Sequence, residues 1–404
     1  NQYMAEIFVG RQPIYDRDLD VYAYELMSHA GQADTEQTSA DEADKATSRV
    51  IINAFLEIGI DNLVDRNVAF LKLAERFLTS EEELPLPIDR VILKIPSYIP
   101  VNAEVIAGAQ RLTAMGFRLA LDNYLIHKHL QPLATMAAMI DINIEPLATA
   151  ELTAYLKILR KLHPIVLADH VKTYDQYELC RDLGIDYFQG YFLSRPKIIS
   201  GESLAPNQMS IMNLLATLHN PETDTDTIDE VISKDVALSY KILKLINSAF
   251  FARPTQIESI HHAIVMLGRK PLCTWASMLA LTGMDDKPKE QVRLAMIRAK
   301  SCELLAEKAG LKPLDSYFTV GMFSALDLLM NRGLEELLSP LPLADNVIAA
   351  LLNREGELGE ALNCTLAQET ADWVNIRFAD LSSNDLTDVS IQAINWANEV
   401  LNAI

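Results

Sequence analysis

The feature that most constrains this chain is a change of rhythm halfway along it. Up to about residue 196, short apolar runs of strand length alternate with segments of helix length; beyond about residue 206 the strand-like runs stop. The early runs cover residues 8–15, 21–26, 68–73, 91–95, 117–122, 139–142, 165–168 and 187–189, the first two joined by the polar turn at 16–20. An amphipathic helix is predicted over about 40–58, and helix-length stretches separate most of the later runs. Repeated strand–helix units imply parallel strands, because parallel neighbours need a long crossover between them. A closed TIM-like (β/α)8 barrel and an open doubly wound sheet share that local pattern, and the number of units points to the barrel.

The second half reads as helix after helix, over residues 208–218, 228–233, 236–247, 259–267, 270–281, 290–309, 317–330 and finally about 388–403. Asn220-Pro221, Arg253-Pro254 and the run from Asp285 to Pro288 separate them. No heptad is sustained, so a globular bundle is predicted rather than a coiled coil. The fold class is therefore α/β plus all-α. A chain of 404 residues exceeds one ordinary core. Gly, Ser and Pro cluster near 196–206, which predicts a barrel domain over 1–200 and a helical domain over 201–404.

Composition excludes several classes. The formal charge of −20 repels phosphate backbones, so general nucleic-acid binding is not expected. No run of 18 uncharged apolar residues exists, so no membrane span is expected. Residues 1–9 lack a basic stretch followed by an apolar core, so no signal peptide is expected, and the missing initial Met leaves room for upstream residues. Cys180, Cys273, Cys302 and Cys364 are scattered, which argues against a disulfide framework or zinc site and for a reducing cytoplasm.

One pattern in the first half carries chemistry. Nearly every predicted strand ends in a polar or charged residue: Glu25, Lys72, Lys94, Asp122, Asp141, Asp169 and Gln189. Strand ends are also where any chain returns to water. In a barrel, however, these positions converge on the carboxyl-terminal mouth, where such folds place their active sites.

These residues match a family. Tyr24-Glu25-Leu26-Met27, Leu119-Ala120-Leu121-Asp122-Asn123-Tyr124 and Phe188-Gln189-Gly190-Tyr191-Phe192, with Ser194-Arg195-Pro196 after the last, resemble the EAL cyclic-di-GMP phosphodiesterases. The opening Phe8-Val9-Gly10-Arg11-Gln12-Pro13-Ile14-Tyr15-Asp16 resembles a subgroup in which a degenerate EAL barrel precedes an HDOD domain. Active members resemble two-metal hydrolases, in which carboxylates and an Asn hold divalent cations.

Against that pattern this chain departs at most positions. Glu25 keeps the namesake acid, but His29 stands for the arginine expected four positions on. Lys72 replaces the metal-binding Asn and Lys94 the next Glu; the paired aspartates become Asp122-Asn123. Asp141 matches the catalytic lysine, with Asn143 for the acid two positions later. Asp169 stands for a Glu, Lys172 for the Glu three positions on, and Gln189 survives. Mg²⁺ and Mn²⁺ need several oxygen ligands, and an ammonium offers none. Lys72 and Lys94 are expected to occupy the cations' place and pair with Glu25, Asp122, Asp141 or Asp169; the alternative is that they snorkel into solvent. Neither reading supports a metal pair or another cofactor. Arg11, Gln189 and Arg195 are the candidate nucleotide contacts, although Arg11 equally suits a structural ion pair.

In the second half, the run from Ile232 to Phe251 and the run from Ile257 to Gly268 resemble the HDOD signature over about residues 205–400. Leu238, Ile242, Leu245 and Ile246 fall on one helical stripe; Asp235 suits an N-cap and Gly268 a C-cap. The resemblance implies a relative of HD-type phosphohydrolases without the metal-binding His-Asp pair. His261 and His262 are adjacent, so a helix points them about 100° apart, poor geometry for one metal. The reading is a noncatalytic signalling adaptor acting through protein partners. The alternatives are a cyclic-di-GMP receptor that binds without cleaving and, behind it, a working phosphodiesterase. A homodimer is compatible with the resemblance, and no stripe in the sequence requires one.

Overall fold

The computed structural model describes residues 9–28, 47–48, 50–51, 54, 59–80, 84, 86–124, 128–161, 165–194, 206–247, 257–282 and 288–403. His29, Arg195, residues 196–205 of the predicted boundary and most of the helix predicted over 40–58 lie outside them. The chain divides into two compact units, Asn1–Leu193 with Glu369–Ala371, and Ser194–Gln368 with Asp372–Ile404.

The first unit holds eight strands closed into one barrel in sequence order, which decides between barrel and open sheet. They are β1 Val9–Tyr15, β2 Val21–Ser28, β3 Val68–Lys72, β4 Val91–Ile95, β5 Arg118–Leu121, β6 Met139–Asn143, β7 Val166–Asp169 and β8 Tyr187–Gln189. From β2 to β8 all neighbours are parallel. β1 runs antiparallel to both β2 and β8 because a tight turn reverses the chain at once. Asp16 fixes that turn: its Oδ1 accepts from the backbone N–H of Asp18 at 2.9 Å and of Asp20 at 3.0 Å.

Helices α1 Ile60–Val64, α2 Glu75–Thr79, α3 Ala103–Ala114, α4 Thr149–Leu159 and α5 Tyr174–Asp182 fall between the strands. Their starts are written locally. Asn102 caps α3 by accepting from Val105 N–H at 2.9 Å, and Thr173 and Gln176 cap α5 reciprocally.

Strand side chains alternate between two cores. Ile14, Ala23, Phe70, Ile92, Ala120, Met139 and Leu167 form one buried layer, a single residue from each of seven strands, filling the barrel. Their strand neighbours Tyr24, Leu71, Leu93, Leu119, Ile140 and Ala168 belong to the second core, with Val105, Leu112, Leu152, Leu156 and Tyr177 of the helices.

The second unit is all helical among the described residues. It comprises α6 Pro206–His219, α7 Thr225–Lys234, α8 Val236–Ile246, α9 Ile260–Leu267, α10 Arg269–Thr282, α11 Lys289–Lys308, α12 Leu314–Phe323, α13 Leu326–Met330, α14 Leu334–Leu338, α15 Asp345–Asn353, α16 Gly356–Glu369 and α17 Ser383–Ala403. The long α11 lies against α12 and α17. Asp235 caps α8, its Oδ1 accepting from Leu238 N–H at 2.9 Å, and Gly268 at φ 91° closes α9, as the sequence predicts.

Two predicted helices differ. The one expected over 317–330 is broken after Phe323, because Arg298 of α11 donates from Nη1 to the Ser324 carbonyl at 3.1 Å, taking an acceptor the helix would use. The last helix starts at Ser383 rather than 388, since Ser382 and Asp385 exchange hydrogen bonds in a capping arrangement.

Candidate functional site at the barrel mouth

Period two in the strands builds the site. Two residues beyond the apolar layer, towards the carboxyl end of each parallel strand, the inward positions are Glu25, Lys72, Lys94, Asp122, Asp141, Asp169 and Gln189. On β1, which runs the other way, the equivalent step is backwards from Ile14 to Gln12. The sequence singles out all but Gln12; the same alternation from Ile14 would have found it.

At the centre stands the Lys94 ammonium, 1% exposed. It lies 2.5 Å from Asp141 Oδ2, 3.3 Å from Glu25 Oε2 and 3.5 Å from Asp122 Oδ1. Asp141 is as buried, and the close contact with Lys94 is the ion pair that answers its charge. Lys72 stands nearer solvent, 3.9 Å from Glu25 Oε1 and 3.8 Å from Asp122 Oδ2. Gln189 donates from Nε2 to Glu25 Oε2 at 2.5 Å and to Gln12 Oε1 at 3.2 Å, while its own Oε1 is buried without a partner.

The electrostatics follow from burial. Desolvation alone would lower the Lys94 pKa, but Asp122, Asp141, Glu25 and Asp169 together hold it well above the usual lysine value. Burial pushes the Asp141 carboxyl well up despite Lys94, and Asp169 and Asp122 push it further. One buried ammonium therefore stays charged while the carboxyl nearest to it binds a proton more readily than a free aspartate.

Asp169 belongs to a separate hydrogen-bonded edge of the cluster. Burial works to raise its pKa, yet the bonds from His170, with the charge of Lys94, bring it below the usual value. His170 lies 3.1 Å from Asp169 Oδ2 through Nδ1, and its backbone N–H donates to Oδ1 at 2.6 Å. No sequence signal marks His170; its left-handed φ of 62° is what turns the ring back onto its neighbour. Asn123, at φ 47°, keeps its Oδ1 buried without a partner beside the cluster's rim. Lys172 pairs with Glu145 instead of reaching the mouth.

Arg11 does not join this set. It lies one residue out of phase with Ile14 and Gln12, its guanidinium 4.3 Å from the Tyr24 ring and donating to the Leu63 carbonyl on α1, which is a structural role on the outer side of the barrel. Arg195 lies outside the described residues. In the helical unit His261 is exposed, 3.6 Å from Asp229 Oδ2.

The residues at the mouth do not fit the two-metal set that the family resemblance implies. A cationic nitrogen stands where the carboxylates converge, and among the described residues no three His, Cys, Asp or Glu side chains are arranged to hold a metal ion. Also among the described residues, no helix is long and apolar enough to cross a membrane.

Comparison with known proteins finds relatives that match nearly the whole chain. The model of the HDOD domain matches residues 204–370. The chain is 31% identical to the uncharacterized protein YuxH of Bacillus subtilis, over 98% of this chain and 99% of that one. It is 30% identical to the cyclic di-GMP phosphodiesterase CdgJ of Vibrio cholerae, over 98% of this chain and 94% of that one. An EAL domain protein of Listeria monocytogenes aligns with 46% of this chain and 87% of its own, at 15% identity and a TM-score of 0.36. With relatives matched along nearly the whole chain, a closed barrel followed by an HDOD domain, the protein belongs to the EAL–HDOD family of two-domain proteins.

Proposed function

We propose that this protein is a noncatalytic member of its family, acting in cyclic-di-GMP signalling in the cytoplasm through contacts with other signalling proteins. One observation carries the reading: the buried Lys94 ammonium, with Asp141 at 2.5 Å and Glu25 and Asp122 within 3.5 Å, stands among carboxylates that the family resemblance would give to divalent cations. A phosphodiester hydrolysed through two metals needs oxygen ligands on both ions and a water held between them. Here the carboxylates that would supply those ligands are already engaged by Lys94 and Lys72. To admit a metal, Lys94 would have to leave a site where it is 1% exposed and surrounded by acids.

The receptor reading draws on Lys72, the more exposed cation at the mouth. It is weakened by Arg11, whose guanidinium is spent on Tyr24 and Leu63. The name of CdgJ makes the enzyme reading the one to test directly.

Purified full-length protein incubated with cyclic-di-GMP and Mg²⁺ or Mn²⁺, followed by chromatography, is expected to yield no linear dinucleotide at enzyme-like rates. Turnover would overturn the proposal. Calorimetric titration of the same nucleotide, with and without metal, separates the receptor from the adaptor.

A further inference from the structure

The helical unit carries a groove of its own. It has a volume of about 770 Å³ and runs between α6 on one side and the end of α7 with the start of α8 on the other, floored by Leu279 and Ala280 of α10. Its α6 wall, Pro206–His219, contains no Asp, Glu, Lys or Arg. Leu214, Val231 and Leu238 give it an apolar lining.

Two further observations say what would cover it. On its α8 rim Val236 is 78% exposed and Tyr240, one turn on, 66%, the largest exposures of bulky apolar side chains on that helix. An occupant confined to the groove would leave them in water; one that lies along the groove and over its edge would bury them. The charge at the same wall is cationic. Lys241, half-buried, lines the groove with no carboxylate of the described residues within ion-pairing distance, whereas Lys234 is paired with Glu230 at 2.6 Å and Asp235 is spent capping α8. With Lys234 and Asp235, the groove's other charged lining residues, engaged in this way, Lys241 is the charge there that an acid from outside would answer, even in a chain of net charge −20.

We propose that this groove is a docking site for an acidic amphipathic helix of a partner protein. The helix would lay apolar side chains at i, i+3, i+4 and i+7 into the groove and over Val236 and Tyr240, and set a Glu or Asp against Lys241. A second copy of the chain meets it poorly: a two-fold contact through this face would bring the same Lys241 surface against itself.

The test uses the full-length protein and a fluorescein-labelled synthetic peptide of about 14 residues, long enough for about four helical turns, with Leu along one face and Glu beside it. Saturable binding by anisotropy is expected, together with slowed hydrogen exchange in α6 and α8. Lys241→Glu and Val236→Asp, both at accessible positions, should each weaken binding about tenfold or more. Lys157→Glu, on α4 of the barrel unit, should leave it unchanged. A peptide with Lys in place of Glu should bind at least about tenfold more weakly. The proposal fails if the acidic peptide does not bind, or if binding ignores both groove substitutions. It fails equally if an acidic peptide without the Leu face binds as well, or if sedimentation shows a dimer that Val236→Asp disrupts.

Discussion

A lysine buried among four acids is stable only as long as each charge has another to answer it. Lys94→Met would leave Glu25, Asp122 and Asp141 facing one another, and a loss of about 3–5 kcal/mol in urea unfolding is expected. Adding Asp141→Leu should restore part of that loss, because a buried ion pair and an apolar pair of similar volume differ little in net stability. Neighbouring His170 supplies a pH signature. Its hydrogen bond to Asp169 raises its pKa above the ordinary 6.5, so the stabilisation is fully present below that value and is lost as pH rises through the raised one. The stability gap between the wild type and His170→Gln should therefore be widest near about pH 5–6 and close towards about pH 9, as thermal melts would show. The charged residues of this cluster were legible as strand ends, because period two leaves no choice of face. What the sequence does not contain is who pairs with whom: Lys94 reaches Asp141 across the barrel, a distance set by closure alone.

Most elements read from local signals came out where expected, the start of α17 at its Ser382–Asp385 cap excepted, whereas features decided by tertiary partners were harder to read. All eight strands, the Asp235 cap and the Gly268 stop depend on residues within a few positions of one another. The break after Phe323 does not: it is set by Arg298 reaching over from α11, and of the two roles the sequence left open for Arg11, the contacts with Tyr24 and α1 are structural. Asp235→Ala should cost about 1 kcal/mol by removing the bond to Leu238 N–H, measurable by chemical denaturation. Gly190, directly after Gln189, is more demanding. Its φ is 145°, and a Cβ there would lie 2.1 Å from the Val171 carbonyl oxygen on the β7 side. Gly190→Ala should destabilise the barrel by about 3 kcal/mol or more, and should disturb Gln189 with it, because both strain and overlap must be relieved by moving backbone.

Across the whole molecule the net charge of −20 is a standing repulsion that salt relieves. The thermal midpoint should rise between low and moderate NaCl, and a fall would mean that attractive surface pairs outweigh it. The arrangement at the mouth also ties two positions to one another. The EAL resemblance sets an acid against Lys94 on β4 and a lysine against Asp141 on β6, so this barrel holds the two charges in the opposite order to the one the resemblance implies. Neither can be exchanged alone. Lys94→Glu would bury a carboxylate against Asp141, and Asp141→Lys would bury an ammonium against Lys94, each at a cost of several kcal/mol against a stability of about 5–15 kcal/mol for a whole domain. The pair therefore behaves as one unit: exchanging both residues together keeps one cation facing one acid, whereas either exchange alone sets two like charges face to face where water cannot screen them.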